Sequence, residues 1–544
     1  MGRALAQVAA PGPRPRWGGR LWRVSLAVLL LVGAALLLAP MLAYPFGRDQ
    51  GVFACGADIL ARGGALYRDC WDLKPPGVYY LYWLAISLFG HTMVAPRILD
   101  LAWTLAAAGA LLALGRRLMP RWAAGLAVFV FVARYALGYD YWHTAQGDGF
   151  ASLPLALGLL AMVAAEERRQ ARWAAACGAL VGAAIAIKLT LGIVLALPLM
   201  ALLQRQSERA RARAARAAAY LAGVAVVVAG VCAYLAAKGG LGDMAEIMFR
   251  WNAQYARLRP PAPAPVVILY QTGRFLLGGQ HAVLTLIGLL ALLGLAESFR
   301  RRAERWWWLA PAWLGAMLAQ VWAQGKYFEY HWLPCLPALA LLAALGVSMS
   351  WQLAKGYAGD IQLTRVLAAG GVALGVGAFL TAYRAHFALA VGYGLGRVPV
   401  GTYLSSLNDP RGDFSITADL EAAALLRARP GSDEPLFVWG FEPILYFLTE
   451  RPPASRFISQ QPLVAPWSPP QWRRELLRDL ARRRPAHIVV AHRDVMPWVT
   501  LRPYDSAQEL SFFPELDDFL RARYRLHARV EDLDIWEWSD LARP

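Results

Sequence analysis

The segment that decides the fold is the polar stretch at residues 44–90, YPFGRDQGVFACGADILARGGALYRDCWDLKPPGVYYLYWLAISLFG. An uninterrupted apolar run precedes it from Val24 to Ala43, and about 20 such residues are enough to span a bilayer. The stretch itself is too long and too polar to be a simple connector between two spans. Its charges balance, with four acids and four bases: Asp49, Asp58, Asp69, Asp72, Arg48, Arg62, Arg68 and Lys74. We therefore expect a membrane protein with one large, charged outer loop after its first span.

A helix is expected inside this loop. Between Gln50 and Arg62, apolar residues recur at helical spacing: Val52, Phe53, Ile59 and Leu60. A helix with that pattern can lie along the membrane surface. It would hold Asp49 and Lys74 near the depth of the lipid headgroups.

The composition of the whole chain supports a membrane protein. Of its 544 residues, 58% are hydrophobic and 17% are charged, against roughly 25% charged residues in a typical soluble domain. The net charge of +18 comes from short basic runs between apolar stretches. Because no basic domain studded with aromatic residues is present, membrane topology explains this charge better than nucleic-acid binding does.

Apolar runs predict about eleven transmembrane helices. Lys and Arg are enriched in every second connection, which places residues 1–23 in the cytoplasm and, with an odd number of spans, the C-terminus outside. No clear small-residue cleavage site precedes Tyr44, so we expect the first run to stay as an anchor in the plasma membrane. The runs are 24–43, 95–114, 122–138, 149–165, 173–187, 189–203, 217–237, 282–297, 306–323, 331–350 and 365–385.

A second domain is expected at residues 386–544, after the membrane domain at 24–385. The sequence there becomes charged and Pro-punctuated, and strand-like pieces alternate with helical ones. The predicted strands are Leu436–Trp439 and His487–Ala491, and the predicted helices are Ile416–Arg429 and Gln471–Arg484. This pattern favours an extracytoplasmic α/β domain.

Cysteine and histidine usage predicts no metal centre. The five cysteines lack CxxC spacing, and no histidine has a second histidine or carboxylate at ligand spacing. A role for a divalent metal stays open, and no firm cofactor is implied. Cys55 and Cys70 share the first outer loop, where an oxidising compartment would permit a bridge.

Four segments resemble the GT-C superfamily of polyprenyl-phosphate-sugar glycosyltransferases, in particular the protein-mannosyltransferase-like and aminoarabinose-transferase-like group. RDQG at 48–51 is similar to the family's acidic motif, and YRDCWDLKPPGVYYLYWL at 67–84 to its D-x-KPP-x-x-Y element. AIKLTLGIVLALP at 186–198 resembles its Lys-containing break, and QGKYFEYHWLPCLPALALLAA at 324–344 its late H-[YW]-x-x-x-x-x-P motif. VWGFEPILYFLTERPPASRF at 438–457 looks like the group's terminal domain, so the resemblance covers nearly the whole chain. Many relatives carry Asp-Glu where this chain has Asp49-Gln50, which puts any function of the second acid in doubt.

The resemblance implies sugar transfer from a lipid-linked donor, the co-substrate, to a cell-envelope glycan, lipid or protein. A phosphate-linked sugar already has a good leaving group, so one carboxylate base and some cations suffice. Asp49 is the expected base. The expected ligands of the donor phosphate are Lys74, Arg48, Lys188 and His331. The expected walls of the substrate site are Asp72, Asp148, His143 and Tyr79.

Simpler interpretations of these residues remain open. Asp49 could pair with Arg48 or cap a helix, and Lys74 could be a solvated residue before a rigid Pro-Pro turn. Lys188 could extend to the membrane interface, and His331 could belong to an aromatic belt.

Two other functions also remain open for the chain as a whole. One is a secondary transporter or lipid-linked-sugar flippase, which also needs many spans and a few intramembrane charges. The other is an envelope scaffold whose outer domain binds a partner.

Overall fold

The computed structural model describes residues 18–203, 209–258, 264–279, 281–358, 361–429 and 434–539, and it places helix on each of the eleven predicted apolar runs. The helices of the membrane part are α1 (Gly18–Leu38), α2 (Arg48–Ala61), α3 (Gly77–Phe89), α4 (Val94–Leu118), α5 (Arg121–Gly138), α6 (Gly147–Phe150), α7 (Ser152–Arg168), α8 (Ala171–Ile187), α9 (Ala196–Leu203), α10 (Ala210–Ala237), α11 (Leu241–Ala245), α12 (Asn252–Arg257), α13 (Ala264–Leu277), α14 (Ala282–Arg300), α15 (Leu309–Gln324), α16 (Leu336–Ala358) and α17 (Ile361–Gly394). Short 3₁₀ segments at Ala39–Ala43, Leu189–Leu195 and Glu329–Cys335 and a π-helical turn at Glu246–Trp251 join some of them.

The helices confirm a polytopic membrane fold. Among the described residues, seven helices are long and apolar enough to cross a membrane, or eight if the bent pair Val28–Ala43 and Arg48–Ala61 counts as one span. Four further apolar helices are shorter, of 10–17 residues. The total of about eleven spans stays a prediction, because length and composition do not decide which of the short helices cross.

Glycines set the closest helix contacts. Gly294 on α14 faces α16, and a Cβ there would overlap the carbonyl oxygen of Leu342. Gly346 on α16 meets α14 in the same way, because its Cβ would overlap the Leu290 carbonyl. Small residues let two membrane helices approach backbone to backbone, where van der Waals packing holds them together.

Helix α2 forms where the sequence predicts it, but it does not present its apolar face to lipid. The chain bends by 86° between the first span and α2. Val52, Phe53 and Ile59 are then buried against protein. Helix α3 packs on one side of α2, and the helix Ile444–Thr449 of the C-terminal part packs on the other. Gly51 allows this contact, since a Cβ there would lie 2.7 Å from the backbone nitrogen of Ile444. The surface-lying amphipathic helix is therefore corrected to a helix buried between the two domains.

The part of the chain that follows α17, called the C-terminal domain below, is a small α/β unit, as predicted. Its helices are α18 (Val400–Ser405), α19 (Ile416–Arg427), α20 (Ile444–Thr449), α21 (Gln461–Val464), α22 (Pro470–Arg483), α23 (Pro497–Thr500), α24 (Ser506–Glu509) and α25 (Pro514–Arg523). Its strands are β1 (Leu436–Trp439), β2 (His487–Ala491), β3 (Tyr524–Val530) and β4 (Leu533–Trp538), in the order β1-β2-β4-β3. β1 and β2 are parallel and the other pairs antiparallel. Both predicted strands have the bounds expected from the sequence.

The connection between the two parts is a continuous helix. α17 runs to Gly394, so the boundary expected at residue 385 falls inside it. The sequence also stays apolar from Phe387 to Leu395, so the charged stretch begins only after the helix ends.

Candidate functional site

A cavity of about 610 Å³ lies between the segment at residues 48–78, the breaks between membrane helices and the C-terminal domain. Eight of the nine candidate residues line it, and they are Arg48, Asp49, Asp72, Lys74, His143, Asp148, Lys188 and His331. Tyr79 lies behind this wall and donates its hydroxyl to Asp72. Residues that are more than 280 positions apart in the sequence thus line one cavity.

Asp49 and Lys74 form an ion pair on the cavity wall. Lys74 Nζ lies 2.7 Å from Asp49 Oδ1, and the two side chains are 21% and 20% exposed. Gln146 donates to the other carboxylate oxygen at 3.2 Å, and the Phe53 ring lies 4.5 Å from the ammonium. The carboxylate is therefore held in place while remaining accessible from the cavity.

Asp148 and Lys188 form a second and more deeply buried pair. The ammonium lies 2.8 Å from the carboxylate, and the side chains are 14% and 4% exposed for Lys188 and Asp148. Lys188 sits in extended backbone between α8 and the 3₁₀ segment Leu189–Leu195, so the helix break turns its side chain inward. A charge buried at membrane depth is costly unless it is paired. The pairing explains how this cation stays in the wall.

The loop that carries Lys74 is fixed from below by hydrogen bonds. The Tyr67 hydroxyl donates to the Lys74 carbonyl at 2.8 Å, and the Lys74 amide approaches Asp72 Oδ2 at 3.4 Å. Burial raises the pKa of the Asp72 carboxyl, while the nearby Lys74 ammonium opposes that shift. Pro76 is the N-cap of α3, so the Pro-Pro pair is a rigid turn that also presents the lysine to the cavity.

Arg48 has a different environment from the one expected of a phosphate ligand. Its guanidinium lies 2.7 Å from Glu442 and 3.2 Å from Asp413, both in the C-terminal domain, and its side chain is 6% exposed. It pairs with these acids rather than with Asp49. The arginine therefore links the start of α2 to the C-terminal domain, and its contact with donor phosphate stays a prediction.

Gln50 explains why this chain lacks a second acid next to Asp49. Its amide oxygen accepts the Gly47 amide at 3.1 Å, which closes the first turn of α2. Its amide nitrogen donates to the carbonyls of Tyr141, Trp142 and Thr144 at 3.0, 3.0 and 2.8 Å. A carboxylate in this position would face three carbonyl oxygens with no proton to donate.

Both candidate histidines lie on the wall, each with neighbours that fit a packing role as well. His143 Nδ1 lies 2.7 Å from Asp140. His331 is buried, with the rings of Tyr330 and Phe328 at 4.8 and 5.4 Å, and its Nδ1 has no hydrogen-bond partner among the described residues. His331 can therefore pack in an aromatic cluster and line the cavity at the same time.

The sequence analysis missed other residues of the cavity. The Tyr330 ring lies 5.7 Å from the Lys74 ammonium and 5.9 Å from that of Lys188. Lys326 donates to the Leu258 carbonyl at 2.7 Å and lies 3.9 Å from the Tyr255 ring, and burial lowers its pKa to about 8. The signal for Lys326 was a lone lysine in an aromatic stretch, Gln324–His331. Tyr255 belongs to a segment without any resembling motif, and only the fold brings it here.

Neither cysteines nor a metal cluster enters this site. Cys55 and Cys70 are buried free thiols. Within the described ranges, no group of three His, Cys, Asp or Glu side chains is placed to hold a metal ion.

Comparisons with known proteins match part of the sequence and nearly the whole fold. Residues 73–236 match the model of the family described as dolichyl-phosphate-mannose-protein mannosyltransferase. Curated protein sequences give no significant match.

Two kinds of solved structure share the fold. ArnT from Cupriavidus metallidurans, bound to undecaprenyl phosphate, superposes with a TM-score of 0.59 at 15% identity, over 97% of this chain and 100% of ArnT. The apo state of the same protein gives 0.58 at 16% identity, over 96% and 99%. The archaeal oligosaccharyltransferase AglB from Archaeoglobus fulgidus, in complex with an inhibitory peptide and a dolichol-phosphate, gives 0.53 at 12% identity, over 96% of this chain and 75% of AglB.

These matches show the fold of the chain, and none of them supports the transporter alternative. At such low identities they establish architecture rather than substrate. The family match at residues 73–236 and the shared architecture agree with the resemblance seen in the sequence, and this chain is a polytopic membrane protein with the fold that ArnT and AglB share.

Proposed function

We propose that this protein transfers a sugar from a polyprenyl-phosphate donor to a glycan, lipid or protein of the cell envelope, on the outer face of the plasma membrane. The observation that carries the proposal is the Asp49–Lys74 pair at 2.7 Å on the wall of a cavity that also holds Lys188. The fold shared with ArnT, which is bound to undecaprenyl phosphate in its crystal structure, supports a lipid-linked donor.

The reaction needs one base and a cationic site for the leaving group. The acceptor nucleophile attacks the anomeric carbon, the bond from that carbon to the phosphate oxygen breaks, and the electron pair stays on the phosphate. Asp49 accepts the proton from the acceptor, as a positioned carboxylate can. Lys74 and Lys188 stabilise the negative charge on the departing polyprenyl phosphate.

The pairing of Lys74 with Asp49 suggests an order of events. Without donor, the ammonium is bound to the base. A donor phosphate that enters the cavity competes for Lys74, and the carboxylate then gains the freedom to accept a proton. The base would thus become available only when the donor is in place.

Three of the remaining candidate residues, Asp148, Asp72 and Tyr79, act as positioning residues in this scheme. Asp148 holds Lys188 in the wall at 2.8 Å. Asp72 and Tyr67 fix the loop that presents Lys74, and Tyr79 fixes Asp72 in turn. None of these three needs to touch the sugar.

The outer location rests on charge asymmetry. Basic residues cluster on alternate connections, which favours a cytoplasmic N-terminus and an extracytoplasmic second domain. The cavity opens beneath that domain, so the proposed chemistry takes place on the outer side.

The test compares lipid-linked sugars and envelope glycans between a strain that lacks the protein and one that carries it. We expect the deletion strain to accumulate one lipid-linked sugar and to lose one envelope modification. Asp49→Asn should fail to restore the modification. Asp58→Asn is the matched control, since Asp58 lies on the same helix but pairs with His91 at 3.0 Å and does not line the cavity. Identical glycans in both strains, or transport of intact donor without transfer in proteoliposomes, would contradict the proposal.

A further inference from the structure

A second cavity, of about 360 Å³, adjoins the first. It lies at the ends of α5 and α13, and His143 and Glu329 line both cavities. A ligand held in the second cavity would therefore be next to the proposed site of transfer. Cavities of this volume are within the range that binds small polar groups.

Arg134 is the unusual residue of this second cavity. It is 6% exposed, and its Nη2 donates to the Phe275 carbonyl at 2.7 Å. Its Nε is buried without a hydrogen-bond partner in the part of the chain that the structure describes. No described carboxylate forms an ion pair with it. A buried arginine at the end of a membrane helix normally has an acid partner or a function.

The acids that line the same cavity have partners other than Arg134. Asp140 lies 2.7 Å from His143 Nδ1. Glu329 forms an ion pair with Arg274. Among the described residues, Arg134 is thus the guanidinium of this cavity that lacks an ion-pair partner. An anion would complete this arrangement, whereas a cation or a neutral sugar would leave the guanidinium unmatched.

We propose that the second cavity binds an anionic group, a phosphate or a carboxylate, carried by the acceptor substrate. The planar guanidinium donates in a fork that fits either group. Anchored there, the acceptor would reach past His143 into the first cavity, toward Asp49. The assignment to the acceptor rests on the proposed function, whereas the anion site rests on Arg134 and its surroundings alone.

The test measures anion binding to the purified full chain in nanodiscs while polyprenyl phosphate saturates the first cavity. One arm titrates inorganic phosphate as a soluble anion, and the other compares phosphatidic acid with phosphatidylcholine as a membrane-borne source. Arg134→Met should weaken binding of the anionic probe by about 10- to 100-fold, the range expected for charge-assisted hydrogen bonds. Arg134→Lys should keep part of the affinity. Arg121→Met, at the exposed opposite end of the same helix, should leave it unchanged.

Thermal unfolding separates binding from folding. Because Arg134 has no acid partner in the described part of the chain, Arg134→Met should unfold at or above the wild-type temperature without ligand, and the stabilisation by the anionic probe should disappear. Unchanged probe affinity in Arg134→Met would overturn the proposal, and so would a loss of stability that accounts for the loss of affinity. If Arg134 variants lose the anion but no sugar transfer is found, the anion site stands and the proposed function fails.

Discussion

Replacing Asp49 by asparagine should move turnover and donor affinity in opposite directions. The amide has almost the shape of the carboxylate, so the helix and its contact with Gln146 should persist. It cannot accept a proton, however, and it carries no charge to hold Lys74. The variant therefore lacks the base, and its Lys74 ammonium is no longer paired and is free to bind phosphate.

The expected magnitudes follow from the geometry of the pair. Loss of a positioned general base lowers the rate by about 10²- to 10⁴-fold, or roughly 3–5 kcal/mol. The Asp49 and Lys74 side chains are 20% and 21% exposed, so much of their attraction is offset by the cost of removing both charges from water. A pair of this kind is worth about 1 kcal/mol. Release of Lys74 should therefore tighten binding of polyprenyl phosphate by about five-fold.

The assay uses membranes of the deletion strain, which supply the natural donor. Purified protein is added, and the rate at which the accumulated lipid-linked sugar disappears gives turnover, while binding of polyprenyl phosphate is measured separately. Asp58→Asn should change neither quantity. The reasoning fails if Asp49→Asn turns over at the wild-type rate, or if it binds polyprenyl phosphate more weakly than the wild type.

Three further perturbations test the site and the fold. Lys188→Met leaves Asp148 buried without its partner and should lower the free energy of unfolding by about 3–5 kcal/mol. The unfolding temperature should drop in Lys188→Met and should be largely retained in Lys188→Arg. Lys326 lines the same cavity, so we expect its ammonium to help bind the donor phosphate. Because burial lowers its pKa to about 8, its charge is present below that pH and lost above it. Affinity for polyprenyl phosphate should therefore fall as the pH rises from 7 to 9, and a similar fall in Lys326→Arg would refute this role of Lys326. Gly294→Ala should destabilise by about 1–3 kcal/mol through overpacking, whereas Gly315→Ala, with open space around it, should not; equal thermal unfolding of the two variants would contradict the packing argument.

The sequence predicted residues of the candidate site better where a charged residue stands in a recognisable motif than where only packing brings a residue to the cavity. Asp49 and Lys74 lie in the same polar loop, and a loop anchored between two apolar helices can bring them together in few ways. Lys188 was recognisable because a lysine inside an apolar run must find a partner. Its partner Asp148 was named as a wall residue, without any signal that the two would meet.

The contacts of other residues in the candidate site could not be predicted from the sequence around them. Arg48 is adjacent to Asp49 in the sequence. Arg48 nevertheless pairs with Glu442 and Asp413, because the C-terminal domain packs against α2. Tyr255 and Lys326 enter the cavity because distant segments pack side by side. The role of Gln50 depends on three backbone carbonyls about 90 residues away.

The sequence by itself determined that the chain is a polytopic membrane protein with a charged segment after its first apolar run and a small α/β unit near its C-terminus. Hydrophobic length and charge are local properties, and each segment enters the bilayer according to its own length and charge. The tertiary structure alone decided that α2 is buried between the two domains and that Arg134 has no acid partner among the described residues. Such pairings depend on which side chains of separate helices end up within a few ångströms of one another, and no spacing along the chain encodes that distance.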